Sequence, residues 1–216
     1  MRLAILVSGR GSNLAAVLEA VASGRLSDLQ PVLVVSNRPA IPALDVAARH
    51  RVPTVILDRA RFASGDARDA AIGRALSDVG ANLALLAGYD QLLHRPYFDA
   101  FGGRTINIHP SLLPRHGGRG MTGLAVHAAV LAAGDAETGV TIHEVTDELD
   151  SGPVLAQTRV DVVPGETVTG LSERVLAVEH RLLVSTLRSL AAVGSLSDAS
   201  GTMAAVPGAG DARVDA

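Results

Sequence analysis

Asn107 and His109 flank Ile108 at the end of an apolar run, residues 105–108. If that run is a strand, its alternate side chains share a face, so the amide and the imidazole point the same way. Side by side, they can both donate hydrogen bonds to one oxygen. That suits a carbonyl turning into a tetrahedral oxyanion. A histidine can also move protons near neutral pH. Pro110 and Pro114 stiffen the exit from the run and would fix both side chains. A solitary histidine at a strand end is commonly just hydrogen-bonded packing; it is the Asn beside it that points to catalysis.

Asp150 is the candidate partner. It opens the turn Asp150-Ser151-Gly152-Pro153 between two further apolar runs. Its carboxylate is expected to face His109 and favour the imidazolium, although Asp is also simply a good turn residue. Glu144, Asp147 and Glu148 are rival acids, expected on a solvated edge. His143, inside a predicted strand, is placed where it could line the site but is given a structural role by default, as is His180 beside Glu179.

A second constellation, Ser8-Gly9-Arg10-Gly11-Ser12-Asn13, lies between a buried run and a helical pattern. Glycines there let the backbone turn tightly and approach a ligand. Free N–H groups at a helix start attract anions, and Ser12 or Asn13 can add donors or cap the helix. A phosphate site and a plain turn with a cap both fit. A dinucleotide site does not: the third glycine and the acid after the second strand are missing. A single phosphomonoester fits better.

The elements that must position these groups follow from periodicity. Strands are expected over 3–7, 32–35, 54–57, 83–86 and 105–108, with helices over 12–21, 41–50 and 66–79 between them. This alternation implies an α/β fold, a doubly wound, mostly parallel Rossmann-like sheet with helices on both faces. Asn107 and His109 would then sit at the carboxyl end of a parallel strand, where open sheets bind ligands. Further on, a short helix (124–133), two strands (140–145 and 154–160) and a long closing helix (169–190) form an antiparallel C-terminal extension. One domain is expected over 1–194. The Gly-, Ser-, Ala-, Asp- and Pro-rich stretch 195–216 reads as a disordered tail.

Composition excludes several functions. The 216 residues hold 48% hydrophobic and 19% charged residues, the balance of a globule. Aromatics are 2% with no Trp, too few for stacking platforms on single-stranded nucleic acid. Net charge is -3 without blocks of one sign, so neither nucleic acid nor an anionic membrane is an expected partner. There is no Cys, which removes disulfides, zinc–thiolate sites and thiol nucleophiles. The histidines show no metal-ligand spacing with an acid, and no serine sits in a nucleophile elbow. No signal peptide or membrane span is read, and a cytoplasmic location is expected.

These residues carry a family resemblance. The segments ILVSGRGSNL (5–14), VSNR (35–38), LAGY (86–89), NIHPSLLP (107–114), GVTIHEVTDELD (139–150) with Gly152-Pro153, and Glu179-His180 resemble the phosphoribosylglycinamide formyltransferases, folate-dependent enzymes of purine synthesis. The Asn-x-His-Pro run with the Asp-x-Gly-Pro turn matches folate formyltransferases as a group; the Gly-Ser-Asn loop narrows the match. The resemblance implies transfer of a formyl group from 10-formyltetrahydrofolate, a co-substrate, to the amine of glycinamide ribonucleotide, with no metal. It implies Asn107, His109 and Asp150 as the catalytic trio. Gly11, Ser12 and Asn13 would hold the ribonucleotide phosphate, and Glu179 the amine or ribose. Asp90, Gln91, Leu92 and Leu93, with Asn107 and with Thr146, Asp147, Glu148, Leu149 and Asp150, would line the folate pocket. Small-molecule substrates and a homodimer are the expected partners.

The chain departs from the family pattern in places. Gly117-Gly118-Arg119-Gly120-Met121 lengthens the loop after the Asn-His strand, and Asp90-Gln91 replaces a Met-Arg pair. The family arginine that meets the folate tail has no secure match; Arg59, Arg61 and Arg68 are candidates. Methionyl-tRNA formyltransferase, formyltetrahydrofolate deformylase, a sugar-nucleotide formyltransferase and a non-enzymatic folate- or nucleotide-binding module are the alternatives. The first two would be expected to carry a further domain.

Overall fold

The computed structural model describes the chain from Met1 to Ser200, with side chains described as far as residue 193. The tail expected over 195–216 thus falls outside the fully described residues. The strands are β1 (Arg2–Val7), β2 (Gln30–Ser36), β3 (Thr54–Ile56), β4 (Leu83–Leu86), β5 (Arg104–His109), β6 (Glu137–Glu144) and β7 (Val154–Asp161). The helices are α1 (Ser12–Ala22), α2 (Pro42–Arg49), α3 (Gly65–Asp78), α4 (Arg95–Ala100), α5 (Leu124–Ala133) and α6 (Val168–Ser200). One seven-stranded sheet has the order β3-β2-β1-β4-β5-β6-β7. Strands β1 to β5 pair parallel; β6 and β7 add antiparallel. This is the mostly parallel, two-faced sheet with an antiparallel extension that the alternating pattern predicts.

The run Leu3-Ala4-Ile5-Leu6-Val7 is apolar without a break because both faces of β1 are covered. Leu3, Ile5 and Val7 pack with Leu14 and Val17 of α1, Ala43 of α2 and Leu171 and Val175 of α6. Ala4 and Leu6 face the other way, onto Ile72 and Leu76 of α3 and Tyr97 of α4. Each fully buried Leu or Ile contributes about 1.5–3 kcal/mol to that packing. The helix α4 and a single 3-10 turn at Arg59–Arg61 are the elements the pattern does not predict. At six residues, α4 is too short to show a period of 3.6.

The topology fixes where a ligand can sit. The strand order reverses at β1, whose neighbours are β2 and β4. The loops leaving β1 and β4 therefore part to opposite sides and open a crevice at their carboxyl ends. Strand β5 delivers Asn107 and His109 to the same edge, and the β6–β7 connection delivers Asp150.

Among the described residues no helix is long and apolar enough to cross a membrane.

Candidate active site

The loop after β1 turns at Gly11, which is left-handed with φ of 79°. A β-carbon there would lie 2.7 Å from Cβ and 2.8 Å from Cα of Ala43, so α2 packs where only hydrogen fits. Gly11 is the N-cap of α1, and no side chain caps the helix. The capping option for Ser12 and Asn13 is thus not taken. Instead Asn13 donates its Nδ2 to Oε2 of Glu179 on α6 at 3.2 Å. Glu179 is buried, and burial pushes its carboxyl up to about 7, against the opposing pull of Asn13 and the charge of Arg10.

The loop after β4 is tied to the loop after β1. The backbone N–H of Asp90 donates to Ser8 Oγ at 3.0 Å. The Asp90 carboxylate accepts from Asn37 Nδ2 at 2.7 Å and pairs with Arg38. Burial raises this carboxyl, but hydrogen bonds from Asn37, Gln91 and Ser8 and the charge of Arg38 outweigh it and leave it lowered. Asp90 is thereby engaged in bracing the 36–38 turn. Gln91 Oε1 accepts from Arg68 Nη1 at 3.1 Å. Arg68 is 3% exposed and ion-paired at 2.8 Å with Asp69, which is fully buried. The second oxygen of Asp69 accepts from the backbone N–H of His94 and meets its Nδ1 at 2.8 Å.

At the centre, strand register sets Asn107 opposite His143 across β5 and β6. Their side chains meet, Asn107 Nδ2 to His143 Nε2, at 3.1 Å. His143 Nδ1 lies 2.8 Å from the Glu144 carbonyl, which can only accept, so Nδ1 carries the proton and Nε2 accepts from the amide. Burial lowers the His143 pKa, only partly offset by its bond to Glu144 and by Asp150, and this favours the same neutral form. The Asp150 carboxylate, 3.7 Å away, is therefore a polar neighbour of a neutral ring.

His109 and Asp150 do not pair as expected. His109 Nε2 lies 2.9 Å from the carbonyl of His116, and Asp150 Oδ2 accepts from the Gly118 N–H at 2.7 Å. Backbone of the loop after β5 takes their place as partner, the His116 carbonyl for His109 and the Gly118 N–H for Asp150. His143, given a structural role by default though placed where it could line the site, lies between Asn107 and Asp150 and belongs to the site. Its signal was positional, since it is carried on the strand that leads into the Asp150 turn.

These groups line one cavity of about 780 Å³. Gly11, Ser12, Asn13 and Glu179 border it, as do Asp90, Gln91, Leu92, Leu93, Asn107, His109, Thr146, Glu148, Leu149 and Asp150. Asp147 does not. Of the candidate arginines, Arg59 and Arg68 border it and Arg61 does not. His127, which sequence reasoning passed over, borders it too. Several polar atoms on bordering residues, Asn13 Oδ1, Tyr89 Oη and His127 Nδ1, are buried without a hydrogen-bond partner among the described residues. Such atoms suit a polar ligand that supplies the missing partners. Among the described residues no group of three or more His, Asp or Glu side chains is arranged to hold a metal ion.

The geometry agrees with comparisons to known proteins. The Formyl transferase family model matches residues 1–187. The chain is 37% identical over 191 residues to the trifunctional purine biosynthetic protein adenosine-3 of Gallus gallus, covering 88% of this chain and 18% of that protein. It is 36% identical over 190 residues to the chloroplastic phosphoribosylglycinamide formyltransferase of Arabidopsis thaliana, covering 88% of this chain and 65% of that protein. The chain thus spans only a small part of the trifunctional relatives. Among solved structures it is similar to glycinamide ribonucleotide transformylase 1 from Symbiobacterium toebii, with TM-score 0.83, 37% identity, and coverage of 89% of this chain and 88% of that one. It is likewise similar to phosphoribosylglycinamide formyltransferase from Bacillus halodurans, with TM-score 0.83, 32% identity, and coverage of 94% and 99%.

Proposed function

The chain belongs to the formyl transferase family, and from that premise we propose that it transfers the formyl group of 10-formyltetrahydrofolate to the amine of glycinamide ribonucleotide. The observation that carries the choice of acceptor is the Asn13–Glu179 contact at the glycine loop. It sets an acid beside a backbone anion site, a pairing suited to a ligand with a phosphate at one end and an amine at the other. Residues Gly11, Ser12 and Asn13 hold the phosphate. Glu179 accepts from the amine or ribose. The folate supplies the formyl group on its N10, and residues 90–93 with Thr146, Glu148, Leu149 and Asp150 border its share of the cavity.

The reaction joins the acceptor nitrogen to the formyl carbon and breaks the bond from that carbon to the folate nitrogen. One proton leaves the acceptor amine and one returns to the folate nitrogen. Asn107 donates to the formyl oxygen as charge builds there, with its amide oriented by His143. His109, at the same strand end with its Nε2–H on the His116 carbonyl, donates to that oxygen from Nδ1 once protonated and exchanges that proton with the reacting groups. Asp150, with one oxygen held by the Gly118 N–H, keeps the other for the proton shed by the amine, directly or through a water. No metal is needed for these steps, since the oxyanion is met by hydrogen-bond donors.

Small-molecule substrates suffice for this reading, and a homodimer is retained as a proposal for the assembly. Mixing the protein with 10-formyltetrahydrofolate and glycinamide ribonucleotide should release tetrahydrofolate only when both are present. Release without an acceptor would mean a deformylase. Release only with a sugar nucleotide or methionyl-tRNA would move the chain to those branches, and no release with any acceptor would leave a binding module.

A further inference from the structure

His109 is held by a carbonyl that belongs to a strained residue. His116 has φ of 53°, left-handed although it is not glycine. A β-carbon disfavours that conformation, so something must hold it there. Its own side chain does: His116 Nε2 lies 2.5 Å from Oδ2 of Asp135, the residue after the α5 cap at Gly134. Arg115 pairs with the other oxygen of the same carboxylate. From the far side, Ser111 Oγ donates to the Arg115 carbonyl at 2.7 Å. The turn is pinned at side chain and backbone alike. None of Ser111, Arg115, His116 and Asp135 borders the cavity.

The consequence falls on His109. A carbonyl oxygen only accepts, so a ring nitrogen 2.9 Å from the His116 carbonyl must carry the hydrogen. The contact fixes neutral His109 as its Nε2–H tautomer and leaves Nδ1 as the nitrogen that takes a proton. Losing the turn would free the ring to adopt either tautomer and to rotate. Gly118, two residues on, donates to Asp150, so the same turn contacts two members of the trio, His109 and Asp150.

We propose that Asp135 is a positioning residue for the reaction: by anchoring His116 in its left-handed conformation, it aims the His116 carbonyl at His109 and sets that ring's tautomer and orientation. The inference rests on the formyl-transfer reading for its kinetic consequence but not for its structural one. The His116 side chain then serves only as the anchor's handle.

The test uses three variants: Asp135→Ala, His116→Gly, and both together. Asp135→Ala should lower kcat about tenfold with KM for both substrates little changed, since a misplaced catalytic group costs rate and not affinity. Glycine adopts positive φ without an anchor. His116→Gly should therefore stay near the parent rate, and the double variant should match it, recovering what Asp135→Ala lost. Nitrogen-15 spectra of the His109 ring should report the Nε2–H tautomer in the parent, a mixture in Asp135→Ala, and the parent tautomer in the double variant. An unchanged rate and ring spectrum in Asp135→Ala would overturn the proposal. So would a double variant no better than Asp135→Ala, because the loss would then not pass through the φ of residue 116. If the parent transferred no formyl group, the functional reading would fall, and the ring spectra would still decide this one.

Discussion

Asn13 and Glu179 stand 166 residues apart in the chain and meet at 3.2 Å, joining the first loop to the closing helix. Burial raises the Glu179 carboxyl pKa from 4.5 to about 7, against the pull of that bond. A raised carboxyl pKa means that the folded protein holds the proton more tightly than the unfolded chain does. The stability it contributes is complete below about pH 4.5, falls as pH climbs through 7, and stays lost above. The size follows from the shift, about 3 kcal/mol at full ionisation. Glu179→Gln removes that dependence. Urea melts at pH 5 and pH 8 should show the variant gaining stability over the parent at pH 8 and little at pH 5. An equal difference at both values would mean that Glu179 is already ionised in the fold.

Asn107 and His109 share a strand face at the cavity, and each is expected to act in the transition state. Loss of one oxyanion donor costs about 100- to 1000-fold in kcat. Asn107→Ala and His109→Ala should each lower kcat at least that far and leave the thermal midpoint close to the parent. Ribonucleotide affinity, measured by calorimetry, should be unchanged, because the phosphate is assigned to Gly11, Ser12 and Asn13 and not to Asn107 or His109. A soluble, fully active His109→Ala would remove that residue from the mechanism.

The parts that were legible in the sequence are those governed by period and burial. An unbroken apolar run at residues 3–7 reads as a strand covered on both faces, and Leu3 and Ala4 do pack into opposite layers. Same-face placement of Asn107 and His109 follows from the two-residue strand repeat. What was not legible depends on register and on loop backbone. Nothing in the string pairs Asn107 with His143, because that neighbour is set by how β6 docks on β5. Nor does the string show that the loop after β5 brings the His116 carbonyl to His109 and the Gly118 N–H to Asp150. Glycine and arginine carry no period, so the loop's path cannot be read from its residue types.

Arg68 illustrates how a candidate binding residue changes meaning once its surroundings are known. It borders the cavity, but its guanidinium is 3% exposed and paired with Asp69. Removing one partner of a buried pair leaves an uncompensated charge, at a cost of about 3–5 kcal/mol. Arg68→Ala should therefore show first as a lower urea midpoint, and only through that as weaker folate binding. Arg61 lies off the cavity, so Arg61→Ala should bind a folate analogue as the parent does. Folate titrations on both variants, with melts alongside, separate these outcomes. An Arg68→Ala protein of parental stability would show that Asp69 does not need its partner.

The turn that presents Asp150 depends on one glycine. Asp150 is left-handed at φ of 52°, and two residues later the chain passes against the end of β6. A β-carbon on Gly152 would lie 2.0 Å from the Glu144 carbonyl oxygen and 2.8 Å from its carbon. Backbone cannot yield as a side-chain tip can, so the turn must move, and Asp150 moves with it. Gly152→Ala should cost about 1–3 kcal/mol in stability and about tenfold or more in kcat. Gly102 is the control, for a β-carbon there meets nothing within 4 Å. Gly102→Ala should leave both quantities near the parent. If Gly152→Ala keeps the parental rate, the position of the Asp150 carboxylate does not govern turnover, and its place in the trio fails.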